Sequence, residues 1–263
     1  MRNGILHKMK VQLGDQVDYQ LELEELVRMN QLIGNELKLS WNGQIFCSSC
    51  GKSTKKSFGD GFCYPCFVSA PEASPCIIRP ELCRAHLGEG RDPEWELRNH
   101  NVPHVVYLAA SDIVKVGITR GEQVPTRWID QGASAAIRLA ETPNRYEAGI
   151  LEVALKDFFA DKTNWQRMLK NEIDEQIDLV DEKWNLHDQL PSDLTHYFSE
   201  NDEVTEIRYP VLEFPTKVKS LSFEKTTAIQ AKLMGIKGQY LIFEGGNVLN
   251  IRKHTGYKVV LEF

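Results

Sequence analysis

Apolar residues fall at every second position along Val17–Leu23 (VDYQLEL) and Glu36–Trp41 (ELKLSW), the period of a half-exposed strand. The chain is therefore expected to begin in antiparallel sheet. From Cys47 to about His100 that regularity disappears. The segment is rich in Cys, Gly, Pro and charge, so its order must come from something other than a large apolar core. Pattern returns in His104–Ala109 (HVVYLA) and Ile113–Thr119 (IVKVGIT), β-branched and aromatic runs split at Ser111 and Asp112, as in a hairpin or two adjacent strands. Pro125 suits a first helical turn. Arg145–Phe159 then sets Ala148, Leu151, Leu155 and Phe158 or Phe159 on one face, the strongest helical pattern in the chain. Asn171–Gln189 repeats the pattern with Ile173, Ile177, Val180 and Trp184 among acids, which predicts a surface helix leading into a linker near Pro191–Glu203. Gln239–Phe243, Val248–Arg252 and Tyr257–Phe263 read as strands broken at Gly245-Gly246 and Thr255-Gly256, a small β-domain or barrel. No repeat at solenoid periods and no low-complexity segment is present.

These elements predict an α+β protein in five segments. They are an N-terminal β segment (1–46), a Cys-rich zinc-binding module (47–100), a central α/β unit (101–170), an acidic helix with linker (171–205) and a β-rich C-terminal domain (206–263). With 263 residues and 42% hydrophobic side chains the chain can bury a proper core. Met1–Lys10 lacks the apolar run of a signal peptide, and no stretch is long and apolar enough for a membrane span, so the expected location is cytoplasmic, without a membrane partner. A net charge of −6 argues against nonspecific coating of nucleic acid. The charge is uneven: Asn171–Arg208 carries about 12 acidic and about 2 basic side chains, Val211–Phe263 about 8 basic and about 4 acidic. The first stretch could meet a protein partner, the second a polyanion.

All six cysteines lie between Cys47 and Cys83, and clustering of this kind without an export signal favours metal ligation over disulfides. Cys47-Ser-Ser-Cys50 and Cys63-Tyr-Pro-Cys66, about twelve residues apart, are close to a zinc-ribbon arrangement: each tight turn can point two thiolates at one ion. The same four thiolates would also suit an iron–sulfur cluster. Cys76, Cys83 and His86 form a less regular set, a candidate second zinc site with His100 or His104 as fourth ligand; the alternative is that both cysteines are small core residues.

His104-Val-Val-Tyr107, then Lys115-Val-Gly117-Ile-Thr119, Arg127 and Leu151-Glu152 resemble the GIY-YIG nuclease superfamily over about residues 104–170. That resemblance implies Tyr107, Gly117, Arg127 and Glu152 as catalytic residues. Glu152 would hold one Mg²⁺ or Mn²⁺, and Asn164 in Lys162-Thr-Asn-Trp165 would be the family's late asparagine. Two departures stand out: the first motif reads Val-Val-Tyr, and Lys115 occupies the place of the second tyrosine. Phosphodiester hydrolysis needs an ion to offset developing charge, a cation at the phosphate and a group to steer water, which fits Glu152, Arg127 and Tyr107. Taken singly, each residue reads more readily as a packed aromatic or a surface charge than as a catalytic group, and Glu152 could pair with Lys156. Over nearly its whole length, including Gly235–Tyr240 and Asn250–Gly256, the chain also resembles a bacterial family known as DUF2797, which implies an architecture and no established activity.

The expected function is metal-dependent phosphodiester hydrolysis, on DNA rather than RNA, with structural zinc and with Lys237, Arg252, Lys253, His254 and Lys258 gripping nucleic acid. The alternatives are a noncatalytic zinc-containing nucleic-acid-binding or adaptor protein that keeps the fold, and a protein-interaction module using the acidic face.

Overall fold

The alternating stretch at Glu36 extends to an 11-residue strand, Glu36–Phe46, that forms the spine of an eight-stranded sheet. Tyr257–Glu262 lies on one side of it, followed by Arg2–Ile5; Ala228–Lys237 lies on the other, followed by Tyr240–Phe243, Asn247–Asn250 and Lys219–Ser220. Ser53–Thr54 pairs with the far end of the spine at Ile45 and Phe46. Every pairing is antiparallel except that of Lys219–Ser220 with Asn247–Asn250. Leu37, Leu39, Val259 and Leu261 point inward from this sheet as the two-residue period requires. The stretches read separately as 1–46 and 206–263 therefore interleave in one sheet. A three-stranded meander, Lys10–Gln12, Asp18–Glu22 and Leu26–Arg28, buries Tyr19 and Leu21 from the early alternating run.

A second sheet has the order Thr205–Glu206, Ala135–Thr142, His104–Ala110, Val114–Arg120. His104–Ala110 is buried along its entire length, which explains its unbroken apolar character. Val106, Leu108 and Ala110 meet Ala148, Leu151 and Leu155 of the helix Arg145–Leu155, whose first turn is capped by Asn144 Oδ1 accepting from the Glu147 N–H at 3.0 Å. Leu179, Leu186, Leu190 and Leu194 complete the same core.

The acidic stretch differs from expectation. Its helix is only Leu179–His187, begun by Asp178, whose carboxylate accepts from the Val180 and Asp181 N–H groups. The segment expected as a linker packs against the sheet: Ser199 N–H bonds Leu139 O, and Thr205–Glu206 pairs with Ala135 and Ala136. Lys183 is buried among the acids, its Nζ 2.7 Å from Asn201 O and 2.8 Å from Asp202 Oδ1.

The computed structural model describes residues 1–158, 164–174 and 176–263; Phe159, Lys162, Thr163 and Glu175, which enter the sequence patterns above, lie outside them. The chain divides into two compact units, one of Met1–Val68, Ile129–Gly132 and Arg208–Phe263, the other of Ser69–Trp128 and Ala133–Ile207. Among the described residues no helix is long and apolar enough to cross a membrane.

Candidate metal centres and active site

Cys47 follows directly on the spine strand, and the chain reverses there twice. Gly51 N–H bonds Cys47 O, Cys47 N–H bonds Lys52 O, and Ser48 N–H bonds Gly61 O, which brings the second pair against the first. The ligand atoms of Cys47, Cys50, Cys63 and Cys66 all lie within 4.8 Å of one another. Cys50 Sγ and Cys63 Sγ are 3.9 Å apart, and the Cys63 N–H donates to Cys47 Sγ at 3.2 Å. Burial raises the Cys47 thiol, but backbone N–H groups of Cys50, Cys63 and Ser49 outweigh it and hold the thiol down to about 6. Cys66 is pushed up to about 12, first by the Cys63 sulfur. A cluster that ionises one sulfur readily and resists the next is a cluster whose full charge needs a cation. The four donors fit zinc, and four thiolates leave no open position for water.

A second group is fully buried. Cys76 lies in the turn Pro75–Ile77, Cys83 follows the turn Pro80–Leu82, and Glu96 and His100 stand one turn apart on the helix Pro93–His100. The Cys83 side chain, ahead of the opposing effect of burial, holds the Cys76 thiol well below its ordinary range, and Cys83 is raised in turn. His86 is not part of the group: its ring stacks on Tyr146 at 4.6 Å. Nor is His104, whose Nδ1 is 2.7 Å from Val102 O. Glu96 was missed in sequence, although Glu96 and His100 are separated by the i,i+4 interval that places two side chains on one helix face.

The candidate catalytic residues all lie in the unit that contains the second sheet. Tyr107 and Gly117 are register partners. A Cβ at Gly117 would stand 2.7 Å from the Tyr107 hydroxyl, so the tyrosine lies over a position only glycine leaves open. Tyr107 is 1% exposed and packs edge-on against Trp128, with ring centroids 5.8 Å apart. Arg127 precedes that tryptophan on the short helix Thr126–Asp130. Burial raises the Glu152 carboxyl; Arg145 and Arg127 lower it and Glu81 raises it, so these four charges share one neighbourhood. Arg145 donates Nε to Cys76 O and Nη2 to Ile77 O, both at 2.9 Å. Tyr107, Gly117 and Lys115 share the sheet face opposite the helix leucines, with Trp128 packed against Tyr107; Glu152 belongs to the helix on the other face, where it feels the charges of Arg145, Glu81 and Arg127.

Lys115, on that same face, and Asn164 both lie near buried Asp112. Burial lowers the Lys115 ammonium and Asp112 partly restores it. Asn164 donates its N–H to Asp112 Oδ2 at 3.3 Å, and its side-chain oxygen accepts from the Gln166 and Arg167 N–H groups, capping the helix Trp165–Leu169.

The expected basic surface contracts. Lys237 is fully buried, its ammonium 5.2 Å and 5.5 Å from the centres of the Tyr209 and Phe214 rings, and cannot reach a phosphate backbone. His254 is buried and lowered by that burial, with Nδ1 2.7 Å from Asn250 O and Nε2 accepting from Phe223 N–H. Arg252 pairs with Asp60 at 2.6 Å, Lys253 is exposed and Lys258 half-buried.

A family model described as protein of unknown function (DUF2797) matches residues 34–259. The chain belongs to that family. The match to DUF2797 runs from two residues before the spine strand into Tyr257–Glu262, and so takes in both cysteine groups and the whole candidate active site. No curated protein and no solved structure matches the chain.

Proposed function

We propose that this protein acts on nucleic acid and hydrolyses phosphodiester bonds with a divalent ion held at Glu152, while zinc at Cys47, Cys50, Cys63 and Cys66 orders the ribbon. The observation that carries this reading is Tyr107 lying over Gly117, its register partner, in the unit that also holds Glu152, whose half-buried carboxyl feels the charge of Arg127. The elements occur in the order the GIY-YIG resemblance asks for: tyrosine on one strand, glycine on its neighbour, arginine on the next helix, glutamate on a later one. Mg²⁺ or Mn²⁺ at Glu152 would offset charge developing on the phosphate. Arg127 is the side chain to contact the phosphate, Tyr107 to orient or deprotonate water. Arg252, Lys253 and Lys258 would add contacts to the backbone of the nucleic acid.

A second reading, noncatalytic binding by the same fold, is favoured by Lys115 in the tyrosine's place and by the near-complete burial of Tyr107. A cleavage assay on labelled single- and double-stranded DNA and RNA with Mg²⁺ or Mn²⁺ separates the two. The expected result is cleavage by the wild type that falls about 100-fold or more in Glu152→Gln with zinc content unchanged. Binding without cleavage by either protein would establish the second reading.

A further inference from the structure

We infer that Cys76, Cys83, Glu96 and His100 form a second metal centre, a closed site that takes zinc or another borderline divalent transition ion. The inference does not rest on the nuclease reading.

Four donors from three separate elements converge here, all buried, with their ligand atoms within 4.8 Å of one another. A tetrahedral site with bonds of about 2.0–2.3 Å has ligand–ligand edges of about 3.3–3.8 Å. Cys76 Sγ is 3.7 Å from His100 Nδ1, and Glu96 Oε2 is 3.8 Å from the same nitrogen. Those separations are too long for strong hydrogen bonds and match the edges of a coordination sphere. Two sulfurs, an imidazole and a carboxylate select zinc over magnesium or calcium, which take oxygen ligands.

The surroundings are those of a supported site. The Arg91 N–H donates to Glu96 Oε1 at 2.9 Å and leaves Oε2 facing the histidine. Ser74 Oγ lies 3.0 Å from Cys76 Sγ, in reach to donate to a thiolate. As a plain core patch the group would bury a carboxylate and two thiols around an imidazole with little to compensate them. An ion satisfies all four at once.

Such an ion would also brace the candidate active site. The carbonyls of Cys76 and Ile77 accept both hydrogen bonds from Arg145. At Gly149 a Cβ would stand 2.4 Å from Glu81 N, so the turn between the two cysteines rests directly on the helix that carries Glu152.

The test uses the full chain purified without added metal. Elemental analysis and native mass spectrometry should give two zinc ions per wild-type chain, one in Cys47→Ser/Cys50→Ser, and one in His100→Gln or Glu96→Gln. X-ray absorption at the zinc edge of folded Cys47→Ser/Cys50→Ser should show two sulfur and two nitrogen or oxygen neighbours. A folded Cys47→Ser/Cys50→Ser chain that retains no transition metal, metal content unchanged by His100→Gln and Glu96→Gln, or an all-sulfur shell around the retained ion would each overturn the assignment.

Discussion

The two cysteine groups are held by opposite means. The segment Cys47–Cys66 is made locally: tight turns and backbone N–H groups position the sulfurs, Cys50 is exposed, and the strand root, the Asp60–Arg252 pair and the close approach of Gly61 to Thr255 support it. The group of Cys76, Cys83, Glu96 and His100 is made by tertiary packing, from two turns and a helix closing over one buried point. A locally built site can lose its ion and fray alone. A site at the junction of packed elements cannot be emptied without loosening those elements, so the two groups should have unequal structural weight.

The largest expected effect comes from removing one sulfur from each group. If the buried group holds an ion, Cys83→Ala weakens that site and leaves the Glu96 carboxylate without its cation, which should cost about 3–5 kcal/mol of unfolding free energy. Cys50→Ala should release the ribbon ion and expose 47–66 to protease while the cooperative transition of the sheets barely moves. Denaturant titration and limited proteolysis of the two variants side by side check this, and equal losses of stability would erase the contrast.

An effect of nearly the same size is expected from acid. His104 is buried neutral, its pKa lowered to about 4 against 6.5, first by burial. Its contribution is complete above pH 6.5. As the pH falls from 6.5 toward 4 the unfolded chain takes up a proton that the folded chain refuses, and about 3 kcal/mol is lost in that window. His104 lies on the sheet packed beside the buried group, so the unit with the second site should be the more acid-sensitive. Unfolding titrations at several pH values should show the slope in the wild type and a shallower one in His104→Gln; parallel slopes would remove histidine burial as the cause.

The smallest effect is expected at the ribbon's edge. Arg252 Nη2 to Asp60 Oδ2 is a half-exposed ion pair, and Arg252→Ala should lower stability by less than about 1 kcal/mol. The same variant should weaken nucleic-acid binding and reduce its salt dependence; unchanged affinity across a salt series would take Arg252 out of the binding surface.

What could be read in the chain follows the same division. The convergence of Cys47, Cys50, Cys63 and Cys66 was legible because C-x-x-C pairs encode their geometry within a few residues. The strands at His104 and Ile113 and the helix at Arg145 were legible because their periods are local as well. The second group was only half legible: Cys76 and Cys83 stood out and His100 was among the candidate fourth ligands, but His86 was included and Glu96 was not considered. Which imidazole turns inward is decided by how Pro93–His100 docks, and no spacing rule contains that. Lys237 and His254 failed for the same reason, since a basic residue in a strand or turn reads as exposed until aromatic neighbours from distant segments cover it.

The strand order of the larger sheet bears on how the chain is made. Tyr257–Glu262 sits between Arg2–Ile5 and Glu36–Phe46, so the strand that emerges among the last completes a gap between two of the first. During synthesis Ser69–Ile207, apart from Ile129–Gly132, can gather its own core while the root of the ribbon still lacks a neighbour on one side. If Cys47, Cys50, Cys63 and Cys66 hold an ion, it can bind before that sheet is complete and would then hold an unpaired strand edge in order until its partner arrives.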